Sequence, residues 1–309
     1  MSKTAVIAIG GNSLIKDENH QTVPDQFEAV RENCVPIASM IEQGWKIAIT
    51  HGNGPQVGFI LLRSELASHV LHTVPLDSAG AETQGSIGYM IQQSLYNELK
   101  KRGINKRVVT VVTQVVVEKN DPAFENPKKP IGPFYEADKA EGCKKTRGWT
   151  MVEDAGRGCR RVVPSPTPIR IIEQNIIKAL IDQGIIVVGV GGGGIPVVEE
   201  AGTLKGVEAV IDKDLASALL ARTIGAEAFF ILTDVPKVYV NFHKPDQKEL
   251  NRVTVAEAEK YYEQGEFASG SMGPKILAAI DFVKNGGKET IITESTQLSN
   301  PDCGTRIVP

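Results

Sequence analysis

Three lysines in this chain stand in surroundings suited to handling anions. Lys275 follows "GSMGP", where Pro274 fits the first turn of a helix and Lys275 projects from its start. Lys213 lies in "IDKDLAS" between Asp212 and Asp214, and Lys129 in "NPKKPIGP" beside Lys128. Phosphate chemistry needs such fixed positive charge, and it also needs backbone N–H groups that can come close to the oxygens. Three glycine turns meet the second need: Gly10-Gly11-Asn12-Ser13, His51-Gly52-Asn53-Gly54-Pro55-Gln56 and Gly191 to Gly194. One such turn is ordinary punctuation, but three, each closing an apolar run, point to a shared anion site.

The motifs of the commonest phosphate enzymes are missing. There is no G-x-x-x-x-G-K-[ST], and no H-R-D or D-F-G set of a protein kinase. Gly189, Gly191 and Gly194 in "IIVVGVGGGGIPVVEE" do spell G-x-G-x-x-G, behind a strand-like run and upstream of Asp212 and Asp214. A dinucleotide turn requires a helix to open at once, and Ile195-Pro196-Val197-Val198 followed by Gly202 leaves no room for one.

The elements that must hold these residues alternate along the chain. Strands are expected at 4 to 9, 45 to 50, 107 to 113, 185 to 190, 228 to 233 and 289 to 293. Helices are expected near 25 to 43, 55 to 69, 81 to 102, 168 to 183, 213 to 225, 254 to 264 and 273 to 285, several stopped by glycines such as Gly44, Gly103, Gly184 and Gly225. This alternation predicts an α/β fold, a three-layer α/β/α sandwich around a mostly parallel sheet. Ligands of such sheets bind beyond the carboxyl ends of the strands, where the glycine turns and Thr233-Asp234 fall. From about 121 to 168 the rhythm breaks into a proline-rich, charged stretch with no clear helical period. It is too long for a plain loop, and the reading is a small inserted lobe covering the site, within a single domain spanning 1 to 309.

Composition narrows the partners. The net charge of −3 and the pI near 6.0 give no electrostatic footprint for nucleic acid, and no apolar run reaches the length of a membrane span. The chain passes from Met1-Ser2-Lys3 directly into the first apolar run, so no signal peptide is expected and the location is read as cytoplasmic. Cys34, Cys143, Cys159 and Cys303 are scattered and form no C-x-x-C pair, so neither a disulfide framework nor a zinc site is expected.

Taken in order, "AIGGN", "HGNGPQVG", "TQGSIGY", "TQVVV", "NPKKPIGPF", "EDAGRGCRRVVPSP", "GGGGIPVV", "GVEAVIDKDLAS", "ILTDV" and "GSMGPK" resemble the carbamate kinases of the amino acid kinase superfamily, and the likeness runs to the terminal "CGTRIV". The resemblance implies reversible transfer of a phosphoryl group between ATP and carbamate, with Mg²⁺ carried by the nucleotide, small-molecule substrates only, a homodimer and the amino acid kinase fold. It implies use in arginine deiminase-type catabolism, where carbamoyl phosphate and ADP give ATP. It also implies roles for particular residues. Gly10, Gly11 and Asn12 would contact the transferring phosphate, and Gly52, Asn53, Gly54 and Gln56 would hold carbamate and its phosphorylated form. Gly191, Gly192 and Gly193 would line the substrate and phosphate side. Lys129, reaching from the lobe, and Lys275 would neutralise the bridging and terminal oxygens; Lys213 would touch nucleotide phosphate and Asp214 would orient the lysines. Thr233, Asp234, Val235, Lys237, Tyr239, Met272 and Gly273 would lie by the nucleotide. Many amino acid kinases carry a lysine two residues before the first Gly-Gly; Ala8 stands there in this chain, and Lys129 is the lysine supplied from the lobe instead.

Other residues are read as structural. His51 is assigned to local support, because carbamate chemistry calls for no base. His69 and His72 lack a third ligand and are read as a solvated face. Lys128 is placed in solvent beside Lys129, and Asp212 is balanced between a turn residue and a supporting group. Arg157, Arg160 and Arg161 are read as partners of Glu153 and Asp154. Competing functions are an acyl-phosphate kinase for another small carboxylate, a catalytically silent nucleotide sensor and a dinucleotide oxidoreductase.

Overall fold

The computed structural model describes residues 3–153, 156–268 and 270–309, so Asp154, the expected partner of the lobe arginines, lies outside the described residues, as does the side chain of Asn12. Its centre is an eight-stranded sheet ordered Arg252–Thr254, Thr305–Val308, Glu289–Glu294, Ala228–Thr233, Thr4–Ile9, Lys46–His51, Ile186–Val188 and Val108–Thr110. Neighbours run parallel except at Glu289–Glu294 against Thr305–Val308, so the two strands at that edge oppose the rest. The central strand shows why its sequence is an unbroken apolar run: it is covered on both faces. Ala5, Ile7 and Ile9 pack with Ile37, Ile41, Ile87, Ile91 and Leu95, which come from helices Val23–Glu42 and Leu76–Lys101. Val6 and Ala8 face the other way, onto Leu220 and Ala216 of helix Lys213–Thr223 and Ala279 of helix Met272–Lys284. The result is the expected three-layer α/β/α sandwich.

Helix ends follow local chemistry. Thr22 and Asp25 form a reciprocal capping box at the start of Val23–Glu42. Gly44, Gly103, Gly184 and Gly225 take left-handed backbone just beyond helices, as their positions predict.

Three expected elements differ in the structure. The run 107 to 113 is not one strand; Val108–Thr110 ends early and the chain steps into a second sheet as Gln114–Val117. That sheet, ordered Thr203–Gly206, Ile195–Glu200, Gln114–Val117 and Pro168–Ile171, takes the start of the helix expected at 168, which begins only at Gln174. Its β-branched stretch Ile195–Glu200 is a strand paired with Gln114–Val117, so the glycine run opens no long helix. The proline-rich segment contains a helix after all, Ala137–Arg147, too polar to show a period because it buries only Ala140 and Cys143. That helix packs on a separate three-stranded sheet of Lys129–Tyr135, Cys159–Val163 and Thr150–Glu153.

Candidate active site

The three glycine turns converge at the carboxyl ends of the central strands. Gly10 and Gly11 follow strand Thr4–Ile9, and Gly52 to Gly54 follow Lys46–His51, the adjacent strand. The two turns touch through their backbones: a Cβ on Gly52 would lie 2.6 Å from the amide nitrogen of Gly11 and 2.8 Å from its Cα. Gly54 and Pro55 open helix Gly54–Leu66, whose positive end therefore faces the same place. Together they border a cleft of about 350 Å³.

The Gly191 to Gly194 turn fits tightly against residues of other segments, the strand end at 51 to 53 and Ile211 among them. A Cβ on Gly191 would meet His51 Nε2 at 2.4 Å, one on Gly192 would meet Asn53 Nδ2 at 2.1 Å, and one on Gly193 the carbonyl oxygen of Ile211 at 2.3 Å. Gly192 and Gly193 also have φ of +66° and +93°, which other residues adopt only under strain. Glycine is needed here for close approach between protein segments as well as for any ligand.

The lysines arrive from different elements. Lys213 begins helix Lys213–Thr223 and Lys275 lies in the first turn of helix Met272–Lys284; the two helices pack side by side. Both ammonium groups meet one carboxylate. Lys213 Nζ bonds Asp214 Oδ1, and Lys275 Nζ donates to Asp214 Oδ2 at 2.9 Å. Lys129 comes from a separate element, the strand Lys129–Tyr135, and pairs with Asp212 Oδ2 at 3.0 Å. Asp212 serves both of its expected roles at once, because its Oδ1 caps the helix by accepting from Asp214 N at 2.9 Å.

Burial makes these charges consequential. Desolvation pushes the Asp214 carboxyl up, but Lys213 and Lys275 outweigh it and hold the group down to about 2. Lys213 is drawn below its ordinary value by desolvation, opposed by Asp214 and reinforced by the charge of Lys275. His51 is pushed down to about 4, first by burial and further by Lys213, against the raising effect of its bond to the Gly52 carbonyl at 3.0 Å. Near neutral pH it is a neutral imidazole wedged under two turns.

The wall of the cleft thus brings together Gly10, Gly11, Gly52, Asn53, Gly54, Lys129, Gly192, Lys213, Asp214, Thr233, Asp234 and Lys275. Gly191 and Gly193 are buried just behind it. Gln56 is buried with its amide donating to Gln26 Oε1 at 3.1 Å. Of the remaining nucleotide candidates, Lys237 pairs with Glu249 at 2.8 Å, Tyr239 stacks on Phe242 at 5.8 Å, and Met272 packs on the core; with Val235 and Gly273 they lie off that wall. Lys128, His69 and His72 are exposed. The arginines divide: Arg161 pairs with Glu208 at 2.6 Å, whereas its neighbour Arg160 lines the cleft. Thr83 and Gln84 lie in "TQGSIGY", and their residue types alone carry no sign of a role. Both are fully buried beneath the site, and Thr83 accepts the Asn53 amide at 2.8 Å.

Residues 3–294 match the family model described as amino acid kinase family. The chain belongs to the amino acid kinase family. Within that family it is 51% identical over 312 residues to a carbamate kinase of Thermococcus kodakarensis, with 99% of each chain covered. It is 50% identical over 315 residues to a carbamate kinase of Pyrococcus horikoshii, with each chain covered in full. Among solved structures, a carbamate kinase from Giardia lamblia bound to AMP-PNP superimposes with a TM-score of 0.93 at 42% identity, covering 100% of this chain and 99% of the other. These relatives set the chain in the carbamate kinase branch of the amino acid kinase family.

Proposed function

We propose that this enzyme transfers a phosphoryl group reversibly between ATP and carbamate, giving ADP and carbamoyl phosphate. The observation that carries the reading is the charge arrangement at the glycine turns: Lys213 and Lys275 share Asp214, and Lys129 pairs with the neighbouring Asp212 on the same cleft wall. Carbamate is an anion and already a nucleophile. Its oxygen attacks the γ-phosphorus, the O–P bond to ADP breaks, and no proton has to be removed, which accords with a buried, neutral His51. The difficulty is bringing anions together and stabilising the charge that spreads over the transferred group. Gly10 and Gly11 would present amides to that group, Gly52 to Gly54 would receive carbamate, and the three lysines would neutralise bridging and terminal oxygens. Asp214, bonded to both Lys213 and Lys275, would orient two of those lysines. The nucleotide would extend past Thr233 and Asp234.

Mg²⁺ fits as an ion carried on the nucleotide phosphates, where it would neutralise their charge. Two of the carboxylates on the cleft wall, Asp212 and Asp214, already have their oxygens engaged by lysines and helix amides, and no metal-binding cluster of acidic, His or Cys side chains occurs among the described residues. The reading further includes the 121 to 168 segment as a lobe over the site, supported by Lys129, Ile131 and Arg160 on the cleft wall. It also includes a cytoplasmic homodimer working toward ATP in arginine deiminase-type catabolism. The test is ATP formation from carbamoyl phosphate and ADP with Mg²⁺, run beside acetyl phosphate. Absence of turnover with carbamoyl phosphate, or preference for acetyl phosphate, overturns the reading, and light scattering checks the dimer.

A further inference from the structure

Beneath the cleft, the backbone entering the third glycine turn is strained. Val190 has φ 53° and ψ 32°, a left-handed conformation that a β-branched residue avoids at a cost of about 1–3 kcal/mol. Such a conformation persists only where neighbours over-determine it. Two residues supply the constraint. Thr113 Oγ1 accepts the Val190 N–H at 3.0 Å and donates to the Val111 carbonyl at 2.7 Å. Gln84, from helix Leu76–Lys101, forms a closed amide pair with Thr113: its Oε1 accepts Thr113 N–H at 2.7 Å and its Nε2 donates to the Thr113 carbonyl at 3.0 Å. The same Nε2 donates to the Gly191 carbonyl at 3.1 Å. One side-chain amide, 1% exposed, therefore ties the place where the chain leaves the main sheet to the turn that closes the cleft. Thr83, the preceding residue, holds Asn53, so one turn of this helix braces two of the three glycine turns.

We propose that Gln84 is a positioning residue for phosphoryl transfer: through Thr113 it holds the strained Val190 to Gly193 turn, which packs against His51 and Asn53 and so backs the Gly52 to Gly54 turn that receives the carbamoyl end of the substrate. The assignment of Gly52 to Gly54 to the carbamoyl end rests on the function proposed above. Gln84 contacts no substrate, and its contribution is preorganisation. Without it the turn relaxes, and the cost falls on the step that needs the turn formed.

The test compares the wild-type enzyme with Gln84→Met, which keeps length and apolar bulk but loses all three hydrogen bonds. Two measurements are made well below the unfolding temperature. Amide hydrogen exchange over residues 189 to 195, read by mass spectrometry, needs no catalytic activity; faster exchange there, with helix 213 to 223 unchanged, is expected. In steady-state ATP synthesis, kcat/KM for carbamoyl phosphate is expected to fall by about 10 to 10²-fold while KM for ADP moves less than about twofold. Unchanged exchange in the turn overturns the proposal whatever the kinetics. So does a KM for ADP that rises as much as that for carbamoyl phosphate, or a fall in thermal stability alone with kinetics intact. Should Gln84→Met fail to fold, Gln84→Asn takes its place, since an amide one methylene shorter cannot reach Thr113 and Gly191 together. A wild-type enzyme inactive with carbamoyl phosphate refutes the function, while the exchange result still decides whether Gln84 braces the turn.

Discussion

Replacing Asp214 by Asn would expose how the lysine cluster works. Both carboxylate oxygens are engaged, by Lys213 and by Lys275, and the side chain is only 5% exposed, so solvent does little to screen the pairs. Two unit charges about 4 Å apart interact by about 4 kcal/mol at the effective dielectric of a protein site. Removing one partner of a buried pair typically costs about 3–5 kcal/mol, because the remaining charge is left uncompensated. In Asp214→Asn two ammonium groups would face each other with no anion between them. Lys213, already drawn down by burial and by Lys275, would fall further and shed its proton at lower pH than in the wild type. The expected result is a loss in kcat of about 10²–10³, the usual cost of one preorganised electrostatic group. The pH profile adds an independent sign. A lysine with a lowered pKa is active in its protonated form at lower pH and is lost as pH rises, so the variant's activity should begin to decline at lower pH than that of the wild type. ATP synthesis measured from pH 6 to 9, with circular dichroism to verify folding, reads both quantities. A folded variant with kcat within about threefold of wild type and an unchanged profile would refute the reasoning.

Other substitutions separate activity from stability. Lys129→Ala removes a pair whose lysine is 36% exposed, so unfolding free energy should change by less than about 1 kcal/mol while turnover falls by about 10²; coupled assay and urea titration check the split. Gly192→Ala places a Cβ against Asn53 at a φ of +66°, so it should lower both thermal stability and turnover, and a soluble variant with normal kinetics would count against the convergence of the turns. Buried His51 has its ordinary value of 6.5 pushed down to about 4, so the stability tied to its neutral form is complete above pH 6.5 and is lost as pH falls toward 4. That loss amounts to about 2 kcal/mol between pH 7 and 5 by linkage, with Asp214 adding to it only below about pH 4; urea midpoints for wild type and His51→Gln should differ in slope over that interval.

The layered sheet was legible because buried parallel strands such as "TAVIAI" and "AFFILT" carry continuous apolar runs, and glycine stops mark the helix ends. The glycine turns and Lys129, Lys213 and Lys275 were legible because anion chemistry demands those residue types. Other features depend on tertiary partners. The break at Thr113 is set by Gln84 and by Ile195, residues far along the chain, so the apolar run through 113 gave no local sign of it. Helix Ala137–Arg147 lacks an apolar face because it covers only a small sheet. Arg160 and Arg161 are adjacent in sequence and end on opposite sides of a strand, a difference that only the register of the three-stranded sheet decides.

The four-glycine run also bears on when the site comes into being. Its neighbours are His51, Asn53, Gln84, Val115 and Ile211, spread over 161 positions of the chain from His51 to Ile211. A turn wedged among so many distant stretches cannot take its final shape until all of them have docked, and contacts of such separation form late. Refolding should therefore pass through a stage with the central sheet formed and no capacity to bind phosphate. Activity would return as the last event, when the segment with no side chains finds the places its neighbours have left for it.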